Sequence, residues 1–110
     1  DKRVWLALPP KLAPYKVAVF PLMKNKPELV SKAQEIFNSL SKKFMTAWDD
    51  RGNIGKRYYS QDEIGTPFCV TVDFDSLEDN AVTIRDRDTM EQQRIKIDDL
   101  ESWLENKINS

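Results

Sequence analysis

The stretch FCVTVDFDSLEDNAVTIRDR, Phe68 to Arg87, decides the fold. FCVTVDF alternates, which puts Phe68, Val70, Val72 and Phe74 on one face of a strand. SLEDN has turn chemistry. AVTIRDR resumes as a strand, with Val82 and Ile84 on one face and Thr83, Arg85 and Arg87 on the other. Strands joined by so short a connection pair antiparallel.

Upstream, helices separate the strands. VAVFPLM, Val17–Met23, is a continuous apolar run that suits a strand buried on both faces; Pro21 means that it ends near there or that its N–H side is free. From Pro27 to Lys43, Leu29, Val30, Ala33, Ile36, Phe37 and Leu40 recur at helical spacing. Pro27 suits the first helical position, Glu28 the positive end, and Lys42 and Lys43 the negative end. FMTAW, Phe44–Trp48, is the next strand. Asp49 to Asn53 is a turn, Ile54 to Ile64 a short helix, Gly65 its stop, and Pro67 the return to extended chain.

Downstream, MEQQRIKI predicts a strand with Ile95 and Ile97 facing in. Asp98 then caps a last helix, with Glu101 completing a capping box and Leu100, Trp103, Leu104 and Ile108 on its apolar face. The order β-α-β-α-β-β-β-α specifies an α/β fold. Strand–helix–strand units pair parallel and the later hairpins antiparallel, giving a mixed five-stranded sheet flanked by three helices. The expected layout is one domain over 1–110, with 1–15 as an irregular, proline-broken lead-in arm. The first residues lack an initiator Met, so a fragment of a longer chain is expected.

Forty per cent hydrophobic and 32% charged residues fit a folded, water-facing chain. No apolar run approaches the roughly 20 residues of a membrane span, and no membrane partner is expected. With no histidine and a single cysteine, imidazole acid–base chemistry, disulfide frameworks and thiolate zinc sites within one chain are excluded. Cys69, inside an alternating strand, is expected to be a buried inert thiol. Trp5, Trp48 and Trp103 suit packing. Net charge is −1, but residues 1–26 carry +5, 27–66 balance, and 67–110 carry −6. Such polarity allows a local polyanion contact without making the whole chain a nucleic-acid binder.

Two charged clusters invite function. Arg51-Gly-Asn-Ile-Gly55-Lys56-Arg57 lies between a strand and a helix, where free N–H groups attract phosphate. It matches neither a P-loop nor G-x-G-x-x-G, so a plain connection and a polyanion contact both stand. In Arg85-Asp-Arg-Asp88, the two arginines project from one strand face about 7 Å apart, a spacing that suits neighbouring phosphates or bases. Asp86 faces the other way. The plain alternative is cross-strand ion pairing, in which Arg94 or Lys96 meets nearby acids. Asp49, Asp50, Asp62, Glu63, Asp73 and Asp75 single out no acid–base pair, and catalytic residues and metal ligands are both expected to be absent.

LPPKLAPYKVAVFPL, DDRGNIGKRYYSQDEIGTPFCVTVDFD and VTIRDRDTMEQ together resemble the C-terminal anticodon-binding domain of the homodimeric class II glycyl-tRNA synthetases, over roughly Val4 to Leu104. The resemblance implies the mixed sheet above and a role in recognising the anticodon loop of tRNA-Gly, whose glycine anticodons share cytosines at their second and third positions. It implies partners: the tRNA-Gly anticodon stem-loop, the enzyme's own catalytic domain, and a second copy of the full-length enzyme. It implies a cytoplasmic glycine–tRNA ligase that uses ATP and Mg on a core this chain lacks, with no cofactor in this domain. Asn53 and Lys56 stand where the family often has Ser and Arg; Lys keeps the charge and loses the planar fork.

On that resemblance, the glycine loop and RDRD form one RNA surface on one side of the sheet. Arg51, Lys56 and Arg57 would hold phosphates. Arg85, Arg87 and Arg94, with Asp86, Asp88 or Gln92, would reach flipped-out bases. Two rivals remain: a docking or dimerisation module, as in the accessory subunit of the mitochondrial DNA polymerase, and a small flavodoxin-like enzyme, which no phosphate motif supports.

Overall fold

The computed structural model describes residues 15–50, 56, 57, 61 and 65–108. Their elements are β1 (Val17–Pro21), α1 (Pro27–Leu40), β2 (Thr46–Trp48), β3 (Phe68–Val72), α2 (Ser76–Asp79), β4 (Ala81–Asp86), β5 (Gln92–Lys96) and α3 (Ile97–Ile108). Lys56, Arg57 and Gln61 are helical, in the expected second helix between β2 and β3. The lead-in arm and the glycine loop itself lie outside the described residues.

The sheet order is β2-β1-β3-β4-β5. β1 pairs in parallel with β2 and with β3, whereas β3–β4 and β4–β5 are antiparallel. This is the expected mixed five-stranded sheet. α1 packs on the face formed by Val17, Val19, Phe68, Val70, Val72, Val82 and Ile84, together with Leu100, Leu104 and Ile108 of α3. Ala18, Phe20, Ala47 and Cys69 form a second cluster on the other face. Cys69 is buried there as expected. The chain crosses from β1 to β2 in one direction and from β2 back past β1 to β3 in the other. Right-handed crossovers therefore put Lys56, Arg57 and Gln61 on the face opposite α1. Adjacent β1 and β3 thus form a topological switch point, and their carboxyl ends open a crevice.

Boundaries differ where a local bond decides them. α1 starts at Pro27 as expected but ends at Leu40, because the N–H groups of Lys42 and Lys43 turn to the carbonyls three residues back, Ser39 and Leu40, and break the i→i−4 ladder. Lys43 therefore sits past the helix, where it pairs with Glu101 and Glu105 of α3 at 2.9 and 2.7 Å. Those two hydrogen bonds, Glu105 first, push its ammonium pKa above the ordinary lysine range. Gly65 takes the positive φ of 83° that a helix stop uses, and the Thr66 N–H returns to the carbonyl of helical Gln61 at 3.0 Å.

The expected Asp98 cap does not form. α3 begins directly at Ile97, whose N–H goes to the Asn80 carbonyl at 2.9 Å, so Asp98 lies within the first turn. SLEDN is a one-turn helix rather than a plain turn, closed by Asn80 in the left-handed region at φ 55°. Phe74 departs most from expectation. The strand stops at Val72, and Phe74 is 45% exposed. Trp48 and Trp103 pack as expected, edge-on to Phe37 at 5.8 Å and to Phe68 at 5.4 Å.

The β4–β5 turn is built around Asp86. Its Oδ1 accepts from the N–H groups of Asp88 and Thr89, and its carbonyl accepts from Met90. Closing that loop holds Met90 at φ 64°, a conformation that suits glycine. Met90→Gly should raise unfolding free energy by about 1 kcal/mol in a denaturant titration. Leu104, fully buried between α3 and the sheet, should lose about 3 kcal/mol on truncation to Ala in the same assay.

Candidate nucleic-acid interface

Sheet register places the charged residues. Pro21 and Val72 mark the carboxyl end of the parallel strands, and Val17 and Phe68 the amino end. Asp86 pairs with Phe68, and the Arg87 N–H reaches the Pro67 carbonyl at 2.9 Å. RDRD therefore lies at the amino end. Asp50, just before the glycine loop, follows β2 at the carboxyl end, where the Asp49 N–H bonds the Val19 carbonyl. Arg57 reaches the Pro21 carbonyl at that same end. Four residues of strand, about 13 Å, separate the two levels. The described flanks of the glycine loop therefore lie at the opposite end of the strands from RDRD; the loop itself, expected to neighbour RDRD, lies outside the described residues.

What connects the two ends is the outer face of the β4–β5 hairpin. Thr83, Arg85, Gln92, Arg94 and Lys96 share the sheet face opposite α1, because Thr83 pairs with Arg94, Arg85 with Gln92 and Ala81 with Lys96. Gln92, Arg94 and Lys96 are exposed, and Thr83 and Arg85 are half-buried. Asp86 points the other way, as expected, beside a groove of about 120 Å³ that it lines with Ile84, Thr89, Glu91, Trp103 and Lys107.

The predicted residues do not stand alike. Arg51 lies outside the described residues. Lys56 is exposed, whereas Arg57 is 3% exposed and its guanidinium Nη1 donates to the Pro21 carbonyl. Burial in the fold corrects the expectation that Arg57 lies open to a phosphate. The Arg85 guanidinium lies 2.7 Å from the exposed Met90 sulfur. The Arg87 side chain is 8% exposed and contacts the exposed Asp88 at 3.3 Å. It projects from the chain just past β4 rather than from within it. Asp86 spends one carboxylate oxygen on its own turn.

Arg94 is held most firmly. Its guanidinium donates to both carboxylate oxygens of Asp73 at 3.1 Å, to those of Asp79 at 3.0 and 3.1 Å, and to Thr83 Oγ1 at 3.2 Å. The Ala81 carbonyl accepts a further bond at 3.3 Å. This is the cross-strand ion pairing anticipated as the plain alternative, and it ties edge strand β5 to the end of β3. Asp79 and Asp73 both raise the guanidinium pKa. Burial raises the Asp73 carboxyl, but hydrogen bonds from Arg94 and Ser76 outweigh it and hold the group below the usual carboxylate range. The Arg94 hydrogen bond does the same for exposed Asp79.

The sequence pattern missed the carboxyl-end rim. Met23, Phe74 and Leu77 are 40, 45 and 42% exposed there. The visible signal was the Asp at 73 and 75 on either side of Phe74, which makes continued strand burial costly. Among the described residues, no cluster of three or more His, Cys, Asp or Glu could hold a metal ion, and no helix is long and apolar enough to cross a membrane.

With both carboxylates lowered in the folded chain, the Arg94 cluster contributes its full stability above the ordinary carboxylate pKa. The contribution is lost as pH falls through the lowered folded values. Arg94→Met should therefore lower the midpoint of thermal unfolding by a few degrees at neutral pH. The gap from the parent should narrow as pH falls below the ordinary carboxylate range.

Comparison with known proteins follows the same architecture. Residues 16–107 match the family described as "Anticodon binding domain". Over 108 residues, 98% of this chain, the sequence is 60% identical to a glycine–tRNA ligase of Alkaliphilus metalliredigens, 57% to one of Bacillus cereus and 54% to one of Streptomyces coelicolor. The chain spans 23% of the length of each of these relatives. A match across nearly the whole sheet and its helices means that the chain belongs to the anticodon binding domain family.

Proposed function

We propose that this chain is the part of a glycine–tRNA ligase that recognises the anticodon loop of tRNA-Gly. The observation that carries the proposal is 60% identity to such a ligase across 98% of the chain. The remainder of a longer protein would hold the catalytic core, with ATP and Mg, and the enzyme would work as a cytoplasmic homodimer. The catalytic step would owe to this domain only the selection of the correct RNA.

The outer face of β4–β5 suits that task. Single-stranded loop bases are read on their edges, and their backbone is held by cations. Exposed Gln92, Lys96 and half-buried Arg85 offer donors and acceptors on one flat face. Lys56 adds a cation at the carboxyl end, and Arg87 and Asp88 lie at the other. Arg94, engaged by two carboxylates, serves first as the tie that fixes this face. A docking module would instead need an apolar centre, which the Thr83-Arg85-Gln92-Lys96 face does not offer.

The test is a titration of the chain with a glycine anticodon stem-loop, and with one whose two shared cytosines are replaced, at low and moderate salt. The expected result is tighter binding to the first and a steep loss with salt. Arg85→Ala should cost about 1–3 kcal/mol with the cognate loop and little with the altered one. Lys56→Ala should weaken both alike and lower the salt slope by about one. Equal binding of the two loops by the parent would remove base reading from this domain.

A further inference from the structure

The turn between β4 and β5 keeps a side chain that its backbone does not favour. The Met90 N–H is held by the Asp86 carbonyl at 2.8 Å, and the residue sits at φ 64°. That region is costly for a long side chain, and glycine would fit it better. An outlier of this kind points to a use for the side chain. Met90 is 58% exposed, and its sulfur lies 2.7 Å from Nη2 of Arg85. Arg85 is half-buried on the outer face of the hairpin, across from Gln92. An exposed sulfur therefore stands against a cation of the face that suits RNA.

A thioether is a weak hydrogen-bond acceptor, so the sulfide rests beside the guanidinium without gripping it. The same exposed sulfur is open to two-electron oxidation. A hydroperoxide transfers one oxygen atom to Sδ: the O–O bond breaks, the S–O bond forms, the sulfur loses two electrons, and the oxidant leaves as water or an alcohol. The product is polar where the sulfide was not. Its oxygen is a charge-assisted partner for a guanidinium, and the donor already against it is Arg85. A bond there competes with a base edge or a phosphate for the same N–H groups.

Resting on the anticodon reading above, we propose that Met90 is a site of reversible oxidation by hydroperoxides, and that its sulfoxide holds the Arg85 guanidinium away from RNA. A methionine sulfoxide reductase with a dithiol as electron donor returns the sulfide: the dithiol becomes a disulfide, and the oxygen leaves as water. Met23 follows β1 and Met45 precedes β2, on the far side of β3 from Arg85, so these two exposed methionines serve as internal controls.

The chain would be treated with graded hydrogen peroxide, and peptide mass mapping would locate each added oxygen. Met90 should gain one at doses that oxidise Met45, before circular dichroism reports unfolding. A chain carrying Met23→Leu and Met45→Leu would then be titrated with the glycine anticodon stem-loop before and after oxidation. Oxidation should weaken its binding roughly fivefold or more, and the reductase should restore it. Peroxide should change nothing further once Arg85→Ala is added, because both changes act through one group. Without RNA, the Arg85 Nε–H resonance should shift on oxidation. Met90 that stays a sulfide in the folded chain overturns the site. Unchanged binding, or an unmoved Arg85 resonance, overturns the lock alone. A loss of equal size in the Arg85→Ala chain assigns the effect to the turn and overturns the lock as well. Failure of the unoxidised parent to bind the stem-loop overturns the anticodon reading, and the control of RNA binding with it.

Discussion

Everything in this molecule is arranged around β1. Each of its residues from Val17 to Pro21 is buried, and it is hydrogen-bonded in parallel on both edges. A strand in that position has to be apolar on both faces and covered on both faces. Val17 and Val19 answer to α1 and α3, while Ala18 and Phe20 answer to the opposite layer. Covering both faces requires one crossover on each side, and the change of side puts the crevice at the carboxyl ends of β1 and β3. The packing requirement and the place where a ligand can enter are one constraint.

The antiparallel half obeys a looser rule. β4 and β5 have one face on the core and the other in water, so polar side chains can accumulate on the outer face at no packing cost. That freedom is what allows Arg85, Gln92, Arg94 and Lys96 to share a surface. An edge strand also needs restraint. β5 receives it from the Arg94 guanidinium, which reaches across to Asp73 and Asp79 and makes the edge part of the same rigid body as the crevice.

Much of this was legible in the residues. VAVFP and the leucine and isoleucine spacing of Pro27–Leu40 are consequences of burial, which sequence periodicity records directly. Alternation at FCVTV and AVTI is legible for the same reason. Three things escaped it. Periodicity carried Phe74 past the end of its strand, because alternation does not say where a partner strand stops. The start of α3 at Ile97 depends on a carbonyl 17 positions earlier, at Asn80, and no local capping pattern encodes such a bond. The separation of RDRD from the flanks of the glycine loop is topological: antiparallel β4 starts beside the end of β3 and finishes beside its beginning. Register shows that the described flanks of the loop lie about 13 Å along the strands from the level of RDRD.

The acidity of residues 67–110, −6 by sequence, is the apparent obstacle to an RNA surface in this half. Its distribution removes much of the obstacle. Asp73 and Asp79 are spent on Arg94, Asp86 on its own turn, and Glu101 and Glu105 on Lys43. Asp98 and Asp99 lie in the first turn of α3, where carboxylates favour the helix. Those charges serve the fold. The carboxylates left exposed on the crevice side, Asp75 and Glu78, would repel a random polyanion, which is what discrimination needs. A uniformly basic face would hold every RNA. On the anticodon reading, a face with few cations would hold a strand only where the bases themselves add contacts.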